Sequence, residues 1–254
     1  MVGFISELKI NIRRRFTDGF LLGYNIIFPI LIIVLLGVLC RNISYGKINS
    51  YKYYTIVSIP FCIVMALITA AYAGKDDAYA KTAERVLLCP ISIKTIVISK
   101  IISSMISIFL CGIIVYIGGS LIFNIDFKDI GYIGLLLFLL SFCVSALGTY
   151  IGLGMKNFLV VKNFISIPIS VFAILGGSFF AFGSSNKIIQ FFINCSPFTW
   201  INRSIFLVLY DKNYDLITSL YLILAGAGIL FTVLAIITFK KEGFMDGSLL
   251  GYEE

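Results

Sequence analysis

Six long apolar runs leave this chain very little choice of fold. They lie at roughly residues 20–40, 53–73, 96–123, 131–155, 164–182 and 216–239. A helix of about 20 apolar residues crosses the hydrocarbon core of a bilayer, and each run reaches that length. The runs therefore predict an all-α, polytopic membrane protein with six transmembrane helices, which we expect to form a single transmembrane domain over residues 1–254.

The charge content supports this class. Charged residues make up 13% of the chain, whereas soluble domains carry about 25%. The net charge is +7. In a membrane protein, an excess of Lys and Arg marks cytoplasmic loops and contact with anionic lipid, so we expect membrane lipid as a partner and no nucleic acid.

The distribution of Lys and Arg predicts the orientation. With six spans, thirteen of these residues fall on the side that holds both termini, and seven fall on the other side. Positively charged loops stay in the cytoplasm. We therefore expect a multi-pass protein of the plasma membrane, in a bacterial cell, with both termini and the 74–94 loop in the cytoplasm.

The N-terminal segment, residues 1–19, has the pattern of an amphipathic helix. Phe4, Leu8, Ile12 and Phe16 recur every four residues, and polar and basic residues fill the remaining positions. Helical periodicity with a cationic side is typical of a helix that lies in the membrane interface. An ordinary basic flank of the first span is the alternative. The residues assigned to this interfacial helix are Phe4, Leu8, Ile12, Arg13, Arg14, Arg15 and Phe16.

The segment 183–215 differs from the spans. It contains two apolar pieces that are interrupted at residues 194–197, and neither piece reaches spanning length without a polar interruption. Such pieces indicate re-entrant or interfacial helices, so we expect an outer re-entrant segment before the last span. A seventh span over 198–210 is the alternative, and the charge distribution opposes it.

The loop at 74–94 separates two apolar runs and is unusually structured. Ala83 to Leu88 has the composition of a short amphipathic helix, which Pro90 should end because the residue before a proline avoids helical dihedral angles. A generic charged loop remains the alternative. We expect Asp76 and Asp77 to form a solvated charged turn, and Lys100 to extend its amine toward the membrane surface.

A pair of glycines in the fourth run favours close helix packing. Gly148 and Gly152 form a GxxxG pattern, which lets two helix backbones approach each other. We interpret the pair as internal packing rather than as a contact between subunits.

The chain lacks the residues that several classes of function require. The chain has no histidine, and its six cysteines show no metal-binding spacing, so we expect no metal site. No phosphate-binding GxxxxGK[ST] loop is present. No acidic residue lies in the middle of an apolar run, which opposes proton- or sodium-driven transport. We therefore expect no catalytic residues and no enzymatic activity in this chain.

Two motifs carry a family resemblance. The run ERVLLCPIS, Glu84 to Ser92, precedes a long span and resembles the first cytoplasmic loop of ABC-2 type exporter permeases. Those proteins show an acidic residue with Arg, then leucines, then Pro-Val/Ile-Ser. The run SPFTW at 196–200 is similar to the family's Asn-Pro-Leu-Thr-Tyr motif. The chain departs from the family in lacking prolines after the fifth run.

The resemblance implies a function. It implies the transmembrane permease subunit of an ATP-driven exporter of amphiphilic substrates, such as drugs, peptides or lipid-linked molecules. Its partners would be an ATP-binding cassette ATPase, which holds ATP and Mg²⁺, and a second permease subunit, identical or related. A stand-alone six-span channel or secondary carrier is the alternative. The implied ATPase-coupling residues are Glu84, Arg85, Leu87, Leu88 and Pro90, and the implied re-entrant motif is Pro197, Phe198, Thr199 and Trp200.

Overall fold

The computed structural model describes residues 2–42, 48–123, 125, 129–155, 158–179 and 187–245, and helices dominate this part of the chain. In chain order the helices are α1 (Val2–Thr17), α2 (Gly19–Leu39), α3 (Ser50–Tyr79), α4 (Ala83–Leu88), α5 (Ile93–Phe123), α6 (Ile130–Gly154), α7 (Phe158–Leu175), α8 (Lys187–Cys195), α9 (Pro197–Phe206), α10 (Asp215–Ile237) and α11 (Lys241–Met245).

Five helices of the described residues are long and apolar enough to cross a membrane: α2, α3, α5, α6 and α10. The predicted fifth span corresponds to α7, which is shorter and ends at Leu175, before the predicted end at residue 182. A turn at Gly176–Gly177 follows, and Gly177 has a φ of 77°, a left-handed conformation that glycine adopts without steric cost. The all-α, polytopic class is confirmed, with five long helices and one shorter apolar helix in the part of the chain that the structure describes. The single-domain boundaries stay a prediction.

Two of the spanning helices are irregular at defined points. In α2 a π-helical turn covers Gly23–Ile27, and the N–H of Phe28 bonds to the carbonyl of Gly23. This wide turn precedes Pro29, which lacks an N–H and cannot complete the regular ladder. In α3 the regular helix is interrupted at Ala66, a few residues after the internal Pro60.

Helix α6 lies at the centre of the bundle and packs against α3, α5 and α10. Its two glycines allow the contact with α3. A Cβ atom on Gly152 would lie 2.3 Å from the carbonyl oxygen of Ala71, and one on Gly148 would lie 2.5 Å from the Cβ of Ala70. Backbones this close leave no room for a side chain, so the GxxxG pair serves internal packing.

The segment before α10 contains two short helices, as the sequence predicts. Helix α9 continues through a π-helical turn at Leu207–Asp211, and the chain then reverses at Lys212 with a left-handed φ of 55°. No helix of spanning length occurs between residues 187 and 214, so the alternative of a seventh span over 198–210 finds no support. The stretch 178–192 is where the chain departs from the family pattern by lacking prolines, and residues 180–186 of that stretch lie outside the described residues.

Candidate coupling site

Helix α4 is a separate short helix that follows α3 through a tight turn. Helix α3 ends at Tyr79, and Lys81 adopts a left-handed φ of 53°. The N–H of Thr82 then donates to the carbonyl of Asp77 at 2.8 Å. At the far end of α4, Cys89 is extended and precedes Pro90, which ends the helix. The observed bounds, Ala83–Leu88, are those that the sequence predicts.

One side of α4 is buried in this chain and the other is open. Ala83 is 3% exposed, and the half-buried Val86 and Leu87 pack with it against a cluster that contains Ile96 of α5. Glu84, Arg85 and Pro90 are exposed, and Leu88 is 85% exposed. Four predicted coupling residues therefore form an open face. The fifth, Leu87, packs against its own chain, because the helix turns it to the opposite side.

A buried carboxylate lies directly behind α4. Asp77 is 1% exposed, and its two oxygens pair with different cations: Oδ1 with Arg14 of α1 at 2.5 Å, and Oδ2 with Lys100 of α5 at 2.7 Å. The hydroxyl of Thr82, in the turn before α4, lies 3.2 Å from Oδ1. Asp77 thus joins three helices and the turn that leads into α4.

The expectation of a solvated turn at Asp76 and Asp77 is therefore wrong. Helix α3 continues to Tyr79 and places both carboxylates against α1, where Arg15 pairs with Asp76. Arg15 is 3% exposed, and its burial lowers the pKa of the guanidinium to about 10. It remains charged at neutral pH, and the neighbouring carboxylates offset the cost of burying it.

Lys100 also differs from its predicted position. It is 1% exposed instead of reaching the membrane surface. Its amine donates to the carbonyl of Ala73 at 3.1 Å and lies 5.7 Å from the ring centroid of Phe244 in α11. A buried ammonium is stable only with compensating partners. Lys100 has a carboxylate, a carbonyl and an aromatic face.

Helix α1 packs on the bundle through its polar side. Its buried residues are Glu7, Asn11 and Arg15, spaced four apart. The amide of Asn11 donates to Glu7 at 3.1 Å and to the hydroxyl of Ser99 in α5 at 3.2 Å. This corrects our division of the helix into an apolar side and a cationic side, because one of the three arginines lies on the buried side and another pairs with Asp77.

The assigned α1 residues fall around that polar stripe. Phe4, Leu8, Ile12 and Arg14 are half-buried, and Arg13 is exposed. Phe16 is 40% exposed, and the neighbouring Ile5 is 63% exposed. Apolar side chains thus point away from the bundle, as a helix in the membrane interface requires. The interfacial position itself stays a prediction.

The predicted re-entrant motif, residues 197–200, is not part of the site around α4. It belongs to α9, which packs against α3, α7, α8 and α10. Phe198 is buried, Thr199 donates to the carbonyl of Ile193 at 2.5 Å, and Trp200 donates to that of Asn194 at 2.8 Å. Pro197 stands in the first turn of α9, where a missing N–H costs no hydrogen bond. The motif shapes the α8–α9 corner.

Comparison with known proteins identifies the family. A family model described as ABC-2 type transporter matches residues 4–210. The chain belongs to the ABC-2 type transporter family. None of the curated proteins with which it was compared matches it. The ABC-2 membrane domain is a permease and not a catalytic domain, so this chain is a multi-pass membrane protein with an ABC transporter permease role. The resemblance in the sequence is thereby confirmed.

Sequence reasoning missed the ion pairs behind α4 in this ABC-2 permease. Asp77 lies in the loop that follows the second apolar run, and Lys100 lies in the third run. The sequence alone does not reveal that these two side chains meet. One signal was available. The two acidic residues at 76–77 and the basic residues at 13–15 flank successive spans on the same predicted side, where opposite charges can pair. Among the described residues, no cluster of His, Cys, Asp or Glu could hold a metal ion.

Proposed function

We propose that this ABC-2 permease is the transmembrane subunit of an ATP-driven exporter and that the open face of α4 binds a separate ATPase subunit. The observation that carries the proposal is that α4 exposes Glu84, Arg85 and Leu88 on one side. Its opposite side packs against the helix bundle. A loop that only reversed the chain would need neither.

The contacts of α4 suggest how force would pass. Displacement of α4 would act on the turn at Thr82, which bonds to Asp77. Through its two ion pairs, Asp77 would carry the displacement to α1 and α5. Packed helices respond to such displacements as rigid bodies. Closure of an ATPase pair could in this way change the arrangement of the spans.

The partners and cofactors follow from the same proposal. ATP and Mg²⁺ would bind to the ATPase subunit, and a second permease subunit, identical or related, would complete the transporter. The apolar spans favour an amphiphilic substrate, and by the family resemblance we propose that it leaves the cell. The proposal requires α4 to face the cytoplasm, on the same side as both termini. The distribution of Lys and Arg agrees with this orientation.

The test removes the charges of the open face. We expect the double variant Glu84→Ala/Arg85→Ala to retain about a tenth of the ATPase that co-purifies with the wild-type permease, which corresponds to roughly 1.4 kcal/mol of binding free energy. ATP-dependent transport into inside-out vesicles should fall in parallel. Arg203→Ala/Asp211→Ala is the matched control, because it removes one exposed acid and one exposed arginine at the other end of the bundle.

Unchanged co-purification and unchanged transport in the Glu84→Ala/Arg85→Ala variant would overturn the coupling role of α4. Transport that needs no ATPase at all would instead favour a channel or a secondary carrier. Substrate accumulation outside rather than inside the inverted vesicles would contradict export.

A further inference from the structure

An apolar groove separates α9 from α10 at the end of the bundle opposite α4. Its volume is about 590 Å³, which is within the range of small-molecule sites. Pro197, Trp200 and Ile201 form one wall. The other wall follows α10 from Asp215 to Leu224 and includes Leu216, Leu220 and Ile223.

The groove has a polar end and an apolar length. Asp215 is the first residue of α10, a helix long and apolar enough to span the membrane. We therefore expect Asp215 near the boundary between water and hydrocarbon. From Asp215 to Leu224 the helix rises about 13 Å, and the α10 residues that line the groove after Asp215 are apolar apart from Ser219. An amphiphile with one chain fits this pattern: its head at the boundary and its chain along α10.

Two features of the lining favour a positively charged head. Asp215 is the one charged residue among the described residues that line the groove. The lysine nearest to it in sequence, Lys212, pairs with a different carboxylate, that of Asp129. The indole of Trp200 is 43% exposed, and its Nε1 donates to the carbonyl of Asn194, which fixes the ring. An indole face is the best aromatic partner for an organic cation.

We propose that this groove is a binding site for a single-chain cationic amphiphile, with the ammonium group near Asp215 and the alkyl chain between α9 and α10. The site does not depend on the role of α4 or on an ATPase. It lies partly outside the family match, since α10 begins after residue 210.

Trp200 is the single tryptophan of the chain, so its fluorescence reports on the groove alone. The purified permease, in nanodiscs of neutral phosphatidylcholine, is titrated with two brominated quenchers of equal chain length, an alkyltrimethylammonium and a neutral alkyl maltoside. Concentrations are expressed per membrane lipid. We expect the cationic probe to reach half-maximal quenching at a concentration about three- to fivefold lower than the neutral probe. A difference of this size is what one exposed charge pair contributes.

Three variants test the contact with Asp215. Asp215→Asn should bring the two quenching midpoints together. Asp215→Glu, which keeps the charge, should preserve the preference for the cation, and so should Asp211→Asn, an exposed neighbour that does not line the groove. Equal midpoints in the wild-type protein would overturn the proposal, as would a preference that survives in Asp215→Asn. Absence of quenching of Trp200 by either probe would also overturn the proposal. That result would indicate that a second protein chain covers the groove.

Discussion

Each end of the bundle contains a turn at which a helix ends, and the two turns are stabilised by different kinds of interaction. At the α4 end, the turn between α3 and α4 is fixed by buried ion pairs that centre on Asp77. At the opposite end, the turn that follows α7 is fixed by neutral groups. The hydroxyls of Tyr53 and Tyr54 donate to the carbonyls of Gly177 and Phe179 at 2.7 and 2.8 Å, and Asn202 donates to that of Gly176 at 2.9 Å.

This difference has a physical consequence. Each neutral hydrogen bond contributes about 1 kcal/mol and can be removed alone. A buried ion pair adds little net stability, but removal of one partner leaves an uncompensated buried charge, which is strongly destabilising. The α4 end should therefore respond to single substitutions as a unit, whereas the opposite end should lose its bonds one at a time.

The largest effect is expected from Asp77→Ala. This variant leaves Lys100 buried without its carboxylate and removes the partner of Arg14, so the free energy of unfolding should fall by about 3–5 kcal/mol. A denaturant titration in detergent measures it. The double variant Asp77→Leu/Lys100→Met replaces the pair with apolar groups and should recover most of the loss. A double variant that is less stable than Asp77→Ala would contradict the assignment.

A smaller loss is expected from Asn202→Ala at the opposite end. The variant removes the donor to the carbonyl of Gly176 and to the hydroxyl of Ser178 at 3.3 Å. The buried acceptors that remain should cost about 1–3 kcal/mol, measured by the same titration. A loss as large as that of Asp77→Ala would remove the contrast between the two ends.

Tyr53→Phe should have a still smaller effect. It deletes one hydroxyl and keeps the ring that stacks on Phe206, so the expected loss is about 1 kcal/mol. The double variant Tyr53→Phe/Tyr54→Phe should lose roughly the sum of the two single losses, because neutral bonds to separate carbonyls act independently. Strong non-additivity in the unfolding titration would show that this end also behaves as a unit.

The smallest effect on stability is expected from Glu84→Ala/Arg85→Ala. Both side chains are exposed, and substitutions at such positions usually change the free energy of unfolding by less than about 0.5 kcal/mol. A larger loss would mean that the open face of α4 supports the fold of the permease itself, and any loss of ATPase binding would then have a structural origin.

The sequence was sufficient for the parts of the fold that depend on local composition. The apolar runs located α2, α3, α5, α6 and α10, because apolar length alone decides whether a helix can cross the bilayer. The bounds of α4 followed from a short amphipathic pattern and from Pro90, whose effect on the preceding residue is local.

The parts that were missed depend on contacts between distant segments. Asp77 was assigned to a solvated turn because its partners, Arg14 and Lys100, lie on other helices and neutralise it only in the folded bundle. In α1 the period of four was correct, but in a membrane protein the apolar side can face lipid while Glu7 and Asn11 face the protein. The early end of α7 also depends on distant residues, since Tyr53, Tyr54 and Asn202 hold the carbonyls that the turn exposes.

The most direct test of the coupling role uses a photo-crosslinking amino acid in place of Leu88, which is 85% exposed on α4, in intact cells. The matched control places the same amino acid at Leu222, which is 76% exposed on α10. We predict that mass spectrometry identifies, in the adduct from position 88 alone, an ATPase subunit with a phosphate-binding loop. An ATPase adduct that forms equally from both positions, or no ATPase adduct from position 88, would contradict the proposal that α4 receives the force of ATP hydrolysis.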